Sequence, residues 1–133
     1  MSQENLDVVR AAFDAWNRRD FDAAVRDTHE NVELHFIGGF ADVMGTEWKG
    51  RESLRRFWRE WLDTIGGCLA LESILDANDR VVVIATMDAV GEQSGVPSAI
   101  RFGQVWTFEG GRVARIDGYY DPRAALEAVG LSE

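Results

Sequence analysis

The chain has 133 residues, 46% of them hydrophobic and 11% aromatic, which suits one globular domain spanning 1–133 whose folding buries roughly two-thirds of the unfolded surface. Fourteen Lys and Arg against twenty-three Asp and Glu give a net charge of -9, so phosphate backbones and anionic membranes are repelled, and neither nucleic acid nor a membrane is an expected partner. The single Cys68 cannot form an internal disulfide, and two histidines make a poor metal inventory. With no basic-then-apolar leader and no apolar run of roughly 18 residues, a cytoplasmic protein without metal or cofactor is expected.

From Asn5 to Asn17, the residues Leu6, Val9, Phe13 and Trp16 fall on one face at helical spacing, with Ser2 or Asn5 as candidate caps. Asp20 before FDAAVRDT signals a second, short helix that buries Phe21, Ala24 and Val25. NVELHFI (31–37) reads as a strand, followed by a loop region. Between Arg51 and Ile65, the residues Leu54, Phe57, Trp58, Trp61, Leu62 and Ile65 form a broad apolar stripe, with Glu52, Arg56 and Glu60 on the solvated side. CLALESILDA pairs with RVVVIATMDAV through an Asn78-Asp79 turn. A strand from Ala99 to Phe108 then turns at Gly110-Gly111 into Arg112 to Tyr120. Asp121 and Pro122 open a terminal helix that Gly130 ends. The order is that of an α+β fold.

Strand alternation assigns faces. Phe102, Gln104, Trp106 and Phe108 share the side expected to meet the helices, opposite Arg101, Gly103, Val105 and Thr107. Ile116, Gly118 and Tyr120 share a side against Arg115, Asp117 and Tyr119, and the same parity puts Leu34 and Phe36 inside, Glu33 and His35 outside. An interior pocket would therefore be aromatic and aliphatic, with Gln104 and Tyr120 as its polar groups.

The segments WNRRDFDAA, NVELHF, WKGRESLRRF and VWTFEGGRVARIDGYYD, in this order, resemble the SnoaL-like branch of the nuclear transport factor 2-like superfamily over nearly the whole chain. The resemblance implies a cone-shaped α+β barrel, in which a strongly curved mixed or antiparallel sheet wraps around three helices of the N-terminal half, with a short C-terminal helix. It also implies a homodimer formed through the convex face. Polyketide cyclases, ketosteroid isomerases, scytalone dehydratase and limonene epoxide hydrolase share that scaffold with many members of unknown role, so the scaffold alone does not choose a reaction. An isomerase, cyclase or dehydratase acting on a hydrophobic, carbonyl-bearing small molecule is one implied function. The alternative is a dimeric protein that binds such a molecule without transforming it, and a third reading has side chains fill the pocket.

Resemblance aligns the isomerase general base with Phe36, its oxyanion tyrosine with Ala12 and its oxyanion aspartate with Gln104. The essential aspartate of the cyclases and the epoxide hydrolase falls on Gly118. None of the four carries the required group, which leaves catalysis open, because apolar walls stabilise no developing charge. The catalytic candidates are then His35, as a dehydratase-like acid or base, and Asp117, which enters the pocket only if a bulge reverses its facing. The competing reading of His35 is a partly exposed or interface histidine. The candidate ligand pocket comprises Trp16, Phe36, Trp58, Trp61, Phe102, Gln104, Trp106, Gly118 and Tyr120. Each tryptophan is either a core residue or a clamp for a flat molecule, and Trp48 is a lid or an anchor. Gln104 and Tyr120 either meet a ligand or satisfy local structure. His29 is expected in a solvated loop, Cys68 is expected to be inert, and Arg101, Arg112 and Arg115 are expected to pair with Asp88 and Asp117 across a dimer. The glycine pairs lack a phosphate-cradle context and read as turns.

Overall fold

Helix α1 (Ser2–Asn17) buries Val9, Phe13 and Trp16 on one face, as their spacing predicts. The computed structural model describes residues 2–37, 47–65, 68–90 and 97–131. Because α1 already includes Ser2, Asn5 is a buried interior residue and not the cap. Asp20 caps α2 (Phe21–Ala24), its carboxylate accepting the Ala23 N–H at 3.1 Å.

Strand β1 (Thr28–Ile37) starts at Thr28 instead of Asn31. The backbone explains the extra length: Thr28 is already in register with Val113, and the His29 ring bonds the Glu109 carbonyl at 2.8 Å. His29 is thus a half-buried strand residue and not part of a solvated loop. The expected loop region contains a short strand, β2 (Glu47–Lys49), antiparallel to β1. Gly50, at φ +94°, then turns the chain into α3 (Arg51–Ile65), where Leu54 and Trp58 are buried and Phe57 and Trp61 half-buried. The side chains of Leu62 and Ile65, and the pairs Gly38-Gly39 and Gly66-Gly67, lie outside the described residues.

The remaining elements are β3 (Cys68–Ala77), β4 (Arg80–Val90), β5 (Pro97–Glu109), β6 (Arg112–Tyr119) and α4 (Pro122–Ala128). Asn78 adopts φ +68° in the β3–β4 turn, and Gly110 and Gly111 take φ +60° and +80° between β5 and β6, as tight hairpins require. Asp121 caps α4 by accepting the Arg123 N–H at 3.0 Å.

The sheet runs β2-β1-β6-β5-β4-β3. Every neighbouring pair is antiparallel except β1 with β6, which is parallel, so the mixed sheet implied by the resemblance is present. Register shifts at Leu71/Ser73 and Thr107/Phe108 interrupt long ladders, a recognised means of bending a sheet. One face meets α1, α2 and α3 in a single core cluster containing Phe13, Trp16, Leu34, Trp58, Phe102 and Trp106. The other face has a smaller apolar patch, where Val82, Ile84 and Val105 pack under Ala125 and Leu126 of α4. An arginine-aspartate surface therefore covers only part of that side. Asn17 ties the end of α1 to the sheet, with its amide donating to the Leu69 carbonyl and its oxygen accepting the Leu69 N–H, both at 2.8 Å.

Gly103 sets how closely α4 can approach. A Cβ there would stand 2.7 Å from the Ala125 Cβ and 3.0 Å from the Pro122 Cα, and the second contact is to backbone that cannot rotate away. Gly103→Ala is expected to lower stability by about 1–3 kcal/mol, the usual cost of overpacking, measured as the shift of the urea midpoint. An unchanged midpoint would show that α4 moves freely.

Candidate ligand chamber

The sheet and helices enclose a chamber by bringing together aromatic residues distant in sequence. β1 supplies Leu34 and Phe36, β5 supplies Phe102 and Gln104, β6 supplies Gly118, and Leu69 and Met87 come from β3 and β4. Helices α1 and α3 close it with Trp16, Phe57, Trp58 and Trp61. The void between these side chains is small, about 20 Å³, enough for little more than one water molecule. Its walls are built ring on ring: Trp16 meets Trp58 edge-on at 4.4 Å, and Phe57 stacks on Trp61 at 6.0 Å. Trp48 from β2 covers Phe57 at 4.2 Å and Phe36 at 5.6 Å, and so anchors the outer side of this aromatic wall.

Among the described lining residues none carries a titratable side chain. At Gly118, where the resemblance would put the cyclase aspartate, a side chain has no room. A Cβ on Gly118 would lie 2.9 Å from Cδ1 of Phe36, the residue standing at the aligned isomerase base. Parallel pairing sets Phe36 directly beside Gly118, so the ring fills the space that a side chain at 118 would need.

The polar groups of the chamber are few. The Trp106 indole, which can only donate, gives its hydrogen to Gln104 Oε1 at 2.9 Å, and this fixes which end of the amide is oxygen. The Trp16 indole N–H is buried without a hydrogen-bond partner. Two sequence assignments to the lining change. Trp106 lies behind Gln104, fully buried, and holds the amide without bordering the void. Tyr120 is 58% exposed and outside the lining: β6 ends at Tyr119, and beyond a strand's end the alternation of faces no longer applies. Phe57, Leu34, Leu69 and Met87 join the lining. The helical stripe already contained Phe57, whereas Leu69 and Met87 needed the bend of the β3–β4 hairpin.

His35 and Asp117 stand on the opposite face of the sheet. No register shift separates Asp117 from the ordered part of the β1–β6 ladder, so it stays outward and bonds Arg115 at 2.9 Å. His35 sits between two carboxylates, with Nε2 at 2.8 Å from Glu33 and Nδ1 at 3.6 Å from Glu47. One ligand atom from each of these three residues lies within 4.8 Å of the others, while the two ring nitrogens face different carboxylates. The His35 hydrogen bond, foremost, holds the Glu33 carboxyl below its ordinary value. Two of the three arginines expected to bridge a dimer have partners within the chain: Arg115 bonds Asp117, and Arg101 makes a forked pair with Glu72 at 2.9 and 3.0 Å. Cys68 is exposed.

Residues 9–116 match the model of the SnoaL-like domain, and the chain belongs to that family. With the bent six-stranded sheet closed by helices, this places it in the nuclear transport factor 2-like superfamily. Among solved structures, it is similar to TerC co-crystallised with polyporic acid, at 23% identity, TM-score 0.78, and coverage of 95% of this chain and 98% of that one. It is also similar to Bal32a from a soil-derived mobile gene cassette, at 25% identity, TM-score 0.78, and coverage of 91% and 92%. A third similar structure is Rv0760c of Mycobacterium tuberculosis in complex with estradiol-17beta-hemisuccinate, at 16% identity, TM-score 0.75, and coverage of 89% and 94%. No curated protein matches the chain. Among the described residues, no helix is long and apolar enough to cross a membrane.

Two outcomes follow from this geometry. Gly118→Asp should destabilise the protein by at least about 1–3 kcal/mol, through overpacking against Phe36 and burial of a carboxyl without a partner. Combined with Phe36→Ala, which opens the space, the loss should fall short of the sum of the single losses by at least about 1 kcal/mol in a double-mutant cycle, and strict additivity would refute the steric coupling. On the outer face, Glu33 has a folded pKa below its ordinary 4.5, so its pairing contributes stability above that pH and loses it as pH falls through the lowered value. Glu33→Gln should flatten the melting temperature against pH on the acid side of about 4.5, relative to the wild-type curve.

Proposed function

We propose that the protein binds a flat, hydrophobic small molecule in the aromatic chamber and does not transform it. The observation that carries this reading is the lining: stacked and edge-on rings around Gly118, with no titratable side chain among the described residues. Proton-transfer catalysis needs an acid or base within hydrogen-bond reach of the reacting atom. His35 and Asp117 are separated from the chamber by the thickness of the sheet and are engaged by Glu33 and Arg115. The isomerase, cyclase or dehydratase reading therefore lacks a proton carrier in reach. The ligands named for two similar structures, polyporic acid and an estradiol ester, are ring systems of the kind an indole-lined slot accommodates.

Ligand-sized pockets usually measure about 300–1,000 Å³, so the present void must enlarge on binding. Phe57 and Trp61 are the half-buried members of the wall, whereas Trp16 and Trp58 are buried, so enlargement would have to begin with the first two and with Trp48, which covers Phe57. Homodimerisation and a cytoplasmic setting are carried over from the family resemblance and the sequence as parts of the same proposal.

Binding should quench tryptophan fluorescence, because Trp16, Trp58 and Trp61 all border the site, and should raise the melting temperature in proportion to ligand concentration over Kd. Chromatography after long incubation should recover the ligand unchanged. A panel of steroids and flat polyaromatics that produced neither quenching nor thermal stabilisation would refute the reading, and turnover of any member would restore the enzymatic one.

A further inference from the structure

Leu69 differs from the other lining residues in how it is held. Those carried by β1, β4, β5 and β6 belong to strands with a neighbour on each side, whereas β3 is an edge and has only β4 beside it. In an antiparallel ladder the N–H and C=O of one residue point to the same side of the strand. Those of Leu69 both go to the Asn17 side chain at 2.8 Å, so they face the open edge, and the rung joining Leu69 to Met87 has no backbone hydrogen bonds of its own. The Asn17 amide thus stands in for a missing strand at the residue where β3 borders the chamber.

The base of this clamp is well packed. Asn17 follows Trp16, which is 2% exposed and itself lines the chamber, edge-on to Trp58 at 4.4 Å. The end of α1 is closed by Arg19, at φ +62°, whose backbone N–H and Nη1–H donate to the Trp16 carbonyl at 3.0 and 3.1 Å. One dipeptide therefore sets two parts of the wall, Trp16 by its ring and Leu69 through Asn17. The α3 side is built differently: Phe57 and Trp61 are half-buried, and Trp48, which covers Phe57, comes from a strand of three residues.

We infer that Asn17 is a positioning residue that limits the width of the ligand: it holds the α1–β3 wall in place, so the chamber enlarges on the α3–β2 side and takes long, narrow ring systems in preference to broad ones. This deepens the binding function proposed above and rests on it. A ligand larger than the present void of about 20 Å³ must displace some part of the wall. Moving Leu69 outward breaks two hydrogen bonds that tie the edge to α1, whereas moving the half-buried rings gives up contacts that a guest ring replaces in kind. Space gained in one direction makes a slot, and a disc needs space in two.

Two isomeric four-ring hydrocarbons test the clamp: chrysene, which is elongated, and triphenylene, which is a disc. They share one formula and carry no polar group, so shape alone separates them. Each is titrated from a cyclodextrin carrier into the full chain, with binding read by energy transfer from tryptophan. The wild type should bind chrysene at least about tenfold more tightly than triphenylene. Asn17 is exposed, so Asn17→Ala leaves the Leu69 groups to water; it should stay folded by circular dichroism, with faster hydrogen exchange at the Leu69 amide. It should raise triphenylene affinity by about fivefold or more and leave chrysene affinity within about twofold, narrowing the preference. Asn17→Asp keeps an acceptor for the Leu69 N–H but sets a second oxygen against the Leu69 carbonyl, and should narrow the preference as well. A residue that merely stabilised the fold would change both affinities in step. An undiminished preference in both variants, affinities that fall together, an unchanged exchange rate at Leu69, or a wild type indifferent to shape would overturn the role of Asn17 and leave the binding function standing. If neither hydrocarbon bound to the wild type, the binding function would fall, and the role of Asn17 with it.

Discussion

Parallel pairing of β1 with β6 sets Phe36 beside Gly118, and the character of the chamber depends on that contact. The two strands belong to opposite ends of the chain, and their ladder holds His35 against Asp117 on one face and Phe36 against Gly118 on the other. On the inner face, the phenyl ring lies where a side chain at 118 would project, so an aromatic at 36 and an acid at 118 compete for one volume. A side chain at 118 therefore requires a change at Phe36. The outer face keeps its ionisable groups paired with neighbours, away from the cavity.

Much of the fold was legible in the sequence because its elements are long and regularly patterned. The stripe of α3, the β3–β4 hairpin with its Asn78 turn, the Gly110-Gly111 turn and the Asp121-Pro122 cap each combine periodicity with turn or cap chemistry. What escaped lacks that redundancy. Three residues cannot display alternation, so β2 read as loop, and it forms because Trp48 has Phe36 and Phe57 to pack on. The first residues of β1, Thr28 to Glu30, are polar and gain their strand character only from partners across the chain in β6 and Glu109. The Asn17 clamp on Leu69 joins groups that no local pattern relates.

For the candidate site, what the sequence made legible is which face each strand residue takes. Strand parity separated Leu34, Phe36, Phe102, Gln104 and Gly118 from Glu33, His35, Arg115 and Asp117, because a side-chain period of two leaves no freedom while the strand lasts. It failed for Tyr120, one residue past the end of β6, and it could not rank depth, which is why Trp106 lies behind Gln104 and not beside the void. Nor could it pair charges. Arg101 finds Glu72 on β3 through strand order, a fact of topology and not of local sequence.

Donors without a base have a definite chemical consequence. Hydrogen-bond donors aimed at a carbonyl oxygen stabilise negative charge there, which is half of what enolisation requires; the other half is a group to receive the proton from carbon. Among the described residues that line the chamber no side chain is titratable, so a carrier for that proton is not among them. The ring of Phe36 stands where a side chain at 118 would project, so an acid there would need Phe36 to move.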